Sequence, residues 1–139
     1  MSQQNVEIAK GFFEAWNAGD MDAVREGYDP DVIVRTVRTG EGWPEPGPFV
    51  GVEAVMRWLR QMRETWDSDE IETISLTDAG DRVVTRQRWR TVGRGPEVNL
   101  EVTSVSTYRK GKVILVEFFW DHAEALEAVG LSEQDAHAD

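Results

Sequence analysis

Residues 112–131 read KVILVEFFWDHAEALEAVGL, and the placement of this stretch fixes the placement of the rest. Val113, Ile114, Leu115, Val116, Phe118, Phe119 and Trp120 make an apolar run of strand length, rich in the β-branched and aromatic side chains that suit a pleated surface. Glu117 alone interrupts it. Because the run is apolar at both alternating parities, it predicts a strand covered on both faces, central in its sheet rather than at an edge. Asp121 is an N-cap type of residue. It precedes a short helical turn rich in Ala, Leu and Glu that stops at Gly130.

Upstream, three further strands are expected as a meander over 70–77, 82–92 and 98–110, with turns at 78–81 and 93–96 and Arg109-Lys110-Gly111-Lys112 leading into the last strand. Arg86, Arg88 and Arg90 share one parity of 82–92 and cannot all point unpaired into a small core. Val83, Thr85, Gln87, Trp89 and Thr91 are therefore assigned inward. The same logic turns Leu100, Val102, Ser104, Ser106 and Tyr108 inward on the next strand, and Ile114, Val116, Phe118 and Trp120 on the last. On the outer face Arg86, Arg88, Glu101 and Glu117 are expected to pair across strands. Val113, Leu115 and Phe119 on that face are too apolar to lie bare, which predicts a homodimer through the outer sheet face.

The first half of the chain reads as helices. Residues 4–18 carry Val6, Ala9, Phe13 and Trp16 at helical spacing, with Phe12 beside them. Asp20 caps a shorter helix carrying Ala23, Val24 and Tyr28, which Asp29-Pro30-Asp31 breaks before a short strand at 32–36. Residues 39–51, TGEGWPEPGPFVG, are too rich in Gly and Pro for regular structure, and Trp43 within them is read either as a lid or as a packing plug. A third helix at 52–66 shows Val52, Val55, Met56, Leu59, Met62 and Trp66 on one side and Arg57, Arg60 and Arg63 toward solvent. Helices followed by antiparallel strands give an α+β fold, in which a curved sheet with helices across one face encloses a hollow.

A chain of 139 residues is expected to form one domain over 1–139, with a core at about 6–131 and a frayed tail at 132–139. No apolar run approaches the roughly 18 residues of a membrane span, and MSQQNVEIAK lacks the basic start and apolar segment of a signal peptide. The absence of cysteine excludes disulfides and a thiol nucleophile and suits a cytoplasmic location. A formal net charge of −11 argues against nucleic acid and anionic membranes as partners. With two histidines, one of them His137 in the tail, neither a metal nor any other cofactor is expected.

Four motifs stand in a suggestive order: Trp16-Asn17-Ala18-Gly19-Asp20, Asp29-Pro30-Asp31-Val32, Gly51-Val52-Glu53-Ala54-Val55, and Trp120-Asp121-His122-Ala123-Glu124-Ala125-Leu126 followed by Gly130-Leu131. Together they resemble the SnoaL-like polyketide-cyclase branch of the nuclear transport factor two-like superfamily, over nearly the whole chain. The resemblance implies a cone: a strongly bent sheet around three helices, with a pocket at the open end. It implies no single activity, because the family hosts cyclases, ketosteroid isomerases, epoxide hydrolases and dehydratases. Members of the limonene-epoxide-hydrolase type carry an Arg and an Asp two apart on an inward strand and a further inward Asp on the last strand. The corresponding positions here are Gln87, Trp89 and Phe118, none of them a carboxylate. The isomerase type needs an Asp base beside an oxyanion partner; Tyr108 can donate, with no inward acid next to it. The cyclase type uses a carboxylate near the pocket, for which Asp121, Asp31 and Glu45 are the candidates and no motif distinguishes them.

Adjacent residues on an extended chain point to opposite faces, so Asp121 is read as a helix cap and His122 as an acid–base group at the pocket mouth. The catalytic candidates are His122, Asp31 and Tyr108. Phe13, Trp16, Trp58, Met62, Trp89, Phe118 and Trp120 converge on the same interior as Tyr108, while Gln87, Ser104 and Ser106 bring polar groups to it. An apolar hollow with a few placed polar groups is the usual form of a small-molecule site. Two functions are expected in parallel: holding a small apolar ligand, or acid–base catalysis on an apolar or polycyclic substrate. The missing acid pair favours the first.

Overall fold

The structure is a computed structural model that describes residues 2–38, 48–66, 68–93 and 97–131. Trp43 and Glu45, with the rest of 39–47, lie outside the described residues, as do the tail at 132–139 and its His137.

Helices α1 (Ser2–Ala18) and α2 (Met21–Glu26) form the expected hairpin. Val6, Ala9, Phe13 and Trp16 are buried along one side of α1, and Asp20 Oδ1 accepts the Ala23 N–H at 3.1 Å to start α2. After β1 (Tyr28–Arg38) and β2 (Phe49–Val50) comes α3 (Val52–Thr65), which buries Val55, Met56, Trp58 and Leu59. Strands β3 (Ser68–Ala79), β4 (Arg82–Val92), β5 (Asn99–Arg109) and β6 (Lys112–Phe119) follow, then α4 (His122–Ala128). The strands form one sheet in the order β2-β1-β6-β5-β4-β3. Its strands pair antiparallel except β1 with β6, which run parallel.

β6 is central, as its double apolar parity requires. Helices α1 and α3 lie on one side of the sheet, where Val113 and Val116 join the main core. α4 lies on the other, where Phe119 packs with Val84, Val105, Ala125 and Leu126. Asp121 Oδ1 accepts the Ala123 N–H at 2.9 Å to cap α4. Gly130, at φ +80, ends it by turning the chain so that the Leu131 N–H reaches the Leu126 carbonyl at 2.8 Å.

Several local expectations are corrected. β1 starts at Tyr28 and runs through Asp29-Pro30-Asp31 instead of beginning at Val32. Pro30 is tolerated because the register with β6 breaks between Tyr28 and Ile33, where the ladder requires no N–H from residue 30. Phe49 and Val50, read as loop, form the short edge strand β2 against Val34 and Ile33. In β6, Thr107 faces Leu115 and Tyr108 faces Val113, so Ile114 is the extra residue of a bulge. Val113 turns inward in its place, while Val116 and Phe118 keep the inward direction. Among the described residues the helices number four, α4 being a full element rather than a turn.

On the outer face Arg86 and Arg88 both reach Glu101, at 2.8 and 3.2 Å, and Arg35 takes Glu117 at 2.8 Å. Arg90 pairs with Glu70. These half-exposed pairs contribute about 0–1 kcal/mol each, and they keep four arginines out of the core. α4 removes Phe119 from the apolar surface expected to seat a second copy, and Val113 leaves it by facing inward. What remains is a lateral row, Val50–Ile33–Leu115, across β2, β1 and β6.

Candidate functional site

Between the helices and the concave face of the sheet lies a hollow with about 100 Å³ open to the centres of water molecules. At roughly 10–15 Å³ per water on that measure, it is several waters in size. Phe13 and Trp16 of α1, Trp58 and Met62 of α3, Trp89 of β4 and Phe118 of β6 line it. Gln87, Ser104, Ser106 and Tyr108 reach it from β4 and β5, as do Thr85 and, from β1, Tyr28. The polar residues form lateral rows because strand pairing sets them opposite one another: Thr85 faces Ser104, which faces Phe118. Val113 lies between Tyr28 and Tyr108.

Aromatic packing holds the walls. Trp58 stacks on Phe49 with centroids 4.7 Å apart and 17° between planes, and meets Phe118 edge-on at 6.3 Å. Phe12 meets Tyr28 edge-on at 5.7 Å, and Trp66 meets Trp89 at 5.1 Å. At one end a buried carboxylate anchors two of the indoles. Asp69 Oδ2 accepts from Trp16 Nε1 and from Trp89 Nε1, each at 2.9 Å, and its side chain is 3% exposed. Arg63 completes the group. Expected in solvent, it turns in over the Trp16 ring at 4.5 Å, donates to the Trp16 carbonyl at 2.8 Å and stands 3.7 Å from Asp69 Oδ1.

The hollow is electrostatically plain. Among the described residues that line it, none carries a charge at neutral pH. Burial pushes the Tyr108 phenol up to about 12. It raises Tyr28 as well, with the adjacent Tyr108 adding to the effect. Both are hydrogen-bond donors at neutral pH, and among the described residues the lining holds no ready general base. Two polar atoms of the lining residues are buried without a partner: Trp58 Nε1 and Gln87 Oε1. Among the described residues no cluster of three or more His, Cys, Asp or Glu side chains is placed to hold a metal ion.

The SnoaL-like domain family matches this chain over residues 9–116. The chain belongs to that family. The SnoaL-like domain shares its fold with an NTF2-like protein of unknown function from Burkholderia pseudomallei, at 19% identity and a TM-score of 0.72, covering 91% of this chain and 98% of that one. A candidate polyketide cyclase from Sinorhizobium meliloti aligns at 26% identity and a TM-score of 0.66, covering 81% and 93%. An LEH-like epoxide hydrolase from M. tuberculosis aligns at 17% and 0.68, covering 86% and 84%. No curated protein is similar enough to count as a match.

Within this SnoaL-like domain the sequence-derived residues are placed as follows. Phe13, Trp16, Trp58, Met62, Gln87, Trp89, Ser104, Tyr108 and Phe118 line the hollow; Trp120 does not, and Trp43 lies outside the described residues. Of the three catalytic candidates only Tyr108 is at the hollow. His122 is on the far side of the sheet, with Nδ1 3.1 Å from the Oγ1 of outward-facing Thr103. Its position follows from α4, which crosses to the outer face. Asp31 is exposed on β1, its N–H donating to Asp29 Oδ1 at 2.9 Å. Sequence reasoning missed Tyr28, which it put on a helix, and Asp69, which it left before a strand. One signal pointed to Asp69: a buried indole N–H seeks an acceptor, and two buried tryptophans needed one.

Proposed function

We propose that this SnoaL-like domain binds a small apolar molecule in the hollow between its helices and its sheet. The observation that carries the reading is the lining: aromatic walls from α1, α3, β4 and β6 around a row of polar side chains on β4 and β5. A core built only for stability gains nothing from Gln87 on its inner face, because its Oε1 is buried without a partner and such a group costs about 1–3 kcal/mol. Native mass spectrometry of the protein from its own cells, with thermal shifts across a steroid, terpene and polyketide panel, tests it. A retained mass or a shift of several degrees supports the reading; neither a mass nor a shift overturns it.

Turnover of such a molecule is the second reading. It draws on the cyclase and hydrolase names among the relatives in fold and on Tyr108, whose protonated phenol can donate to a developing oxyanion. The hydrolase type is disfavoured on the resemblance, which implies Gln87, Trp89 and Phe118, none of them charged, at the positions of its charged side chains. We further propose a homodimer seated on the Val50–Ile33–Leu115 row, and a cytoplasmic location in keeping with the absence of cysteine.

A further inference from the structure

We infer that Tyr28 and Tyr108 form a two-donor grip for one carbonyl oxygen of an uncharged ligand held in the hollow. The inference rests on the binding reading above and deepens it by naming the ligand group that the site takes.

Strand pairing puts the two phenols together. Tyr28 on β1 and Tyr108 on β5 both pair with Val113 of β6, one from each side. Their Cα atoms are thus two strand spacings apart, roughly 10 Å. All three side chains line the hollow, so all three rise from the same concave face, where neighbouring side chains lean together. Val113 is shorter than either tyrosine, and the two rings stand on both sides of it. Phe12 meets the Tyr28 ring edge-on at 5.7 Å and holds it in place. A charge on Tyr108 would raise the Tyr28 pKa further, an effect that fades with distance and so brings the two hydroxyl ends near each other.

Both phenol oxygens are open. Among the described residues, Trp58 Nε1 and Gln87 Oε1 are the polar side-chain atoms that are both sealed from solvent and unpartnered. The phenol oxygens also have no hydrogen-bond partner among the described residues, but they are not sealed, so each keeps some accessible surface. Tyr28 is only 9% exposed and Tyr108 7%, and the space that both line is the hollow. Burial keeps both protonated at neutral pH. Each hydroxyl donates one hydrogen and a carbonyl oxygen has two lone pairs, so one carbonyl satisfies both donors at once. An anion could accept the same two bonds. It would enter without a counter-charge among the described lining residues and against a formal net charge of −11.

The test uses three one-ring probes, titrated into the full chain at pH 7 and followed by protein chemical shifts: acetophenone, α-methylstyrene, which has the same shape with CH2 in place of the oxygen, and benzoate. Acetophenone is expected to bind about ten-fold more tightly than α-methylstyrene, and benzoate more weakly than either. Tyr28→Phe and Tyr108→Phe should each remove part of that gain and the double variant all of it, with α-methylstyrene affinity unchanged. Infrared spectra of isotope-labelled acetophenone read the grip directly in the natural protein. The carbonyl stretch should lie at least as low as in water, rise in each single variant, and reach its hydrocarbon-solvent position in the double variant. Equal affinity for the ketone and the alkene overturns the inference alone, as does a carbonyl stretch already at the hydrocarbon position, a gain that survives in the double variant, or benzoate binding more tightly than acetophenone. If none of the three probes binds, the inference and the binding reading fail together.

Discussion

Trp16 and Trp89 lie far apart in the chain, on α1 and β4, yet donate their indole N–H groups to the same oxygen, Asp69 Oδ2, each at 2.9 Å. The contact ties α1 to β3 and β4 and sets two walls of the hollow at once. Hydrogen bonds to a charged acceptor contribute about 1.5–3 kcal/mol each. Asp69→Ala would leave both indoles buried without a partner, and Arg63 without its carboxylate. The expected loss is about 3 kcal/mol or more, a fall in Tm on the order of 10 °C, with Asp69→Asn losing less because it keeps an oxygen. Differential scanning calorimetry decides the point; a fall below about 2 °C for Asp69→Ala would show that the cluster is incidental.

Gln87 presents the opposite case. Its Oε1 is buried without a partner, and replacing such a group by an apolar one of similar shape is neutral to stabilising. Gln87→Leu is expected to raise the stability of the domain by about 1 kcal/mol, or roughly 3 °C, as read by thermal unfolding. A variant that is clearly destabilised would mean that Gln87 supports the fold.

The two tyrosines give a spectroscopic reading of the hollow, because Tyr28 and Tyr108 are the only two in the sequence. Burial raises both pKa values, Tyr108 to about 12. In the unfolded chain a phenol ionises near pH 10. Above that pH the unfolded state releases protons that the folded state keeps, so stability is fully present below about pH 10 and declines as pH rises toward 12. Phenolate absorbance near 295 nm should stay flat through pH 10–11 and appear together with unfolding. Half of the full absorbance change arriving near pH 10 in folded protein would place one of the phenols in solvent.

Much of this arrangement was legible in the sequence, for identifiable reasons. The three arginines on one parity of β4 fixed its face, and pairing carried that choice to β5, so Gln87, Trp89, Ser104 and Tyr108 were placed together on the hollow. Double apolar parity marked β6 as central. The misplacements arose where alternation breaks. The bulge at Ile114 exchanged Val113 for Ile114, and the broken register at Pro30 let β1 start at Tyr28. His122 was misplaced because one parity choice was extended past the end of β6, where the chain crosses to the other face as α4. Arg63 was misread because periodicity records an outward direction and not a buried carboxylate within reach of a long side chain.

The position of His122 gives a control on the hollow. Its ring meets Thr103 on the outer face, and Thr103 is 1% exposed. His122→Ala is expected to cost about 1 kcal/mol through the lost Thr103 contact, with affinity for any ligand that the hollow retains from the steroid, terpene and polyketide panel unchanged within two-fold. A large loss of affinity in a folded variant would connect the outer face to the hollow.

The Val50–Ile33–Leu115 row bears on assembly. Ile33 is 36% exposed and Val50 66%, and pairing sets them side by side, with Leu115 in the same row. The row is flanked by the Arg35–Glu117 pair, so its centre is apolar and its edge charged, as in an interface core and rim. A lysine at the centre would bring two like charges together across a two-fold axis and bury them. Light scattering at tens of micromolar is expected to give a dimer for the natural sequence and a monomer for Ile33→Lys, with unchanged circular dichroism. A monomer for the natural sequence removes the dimer, and a dimer that survives Ile33→Lys places its interface elsewhere.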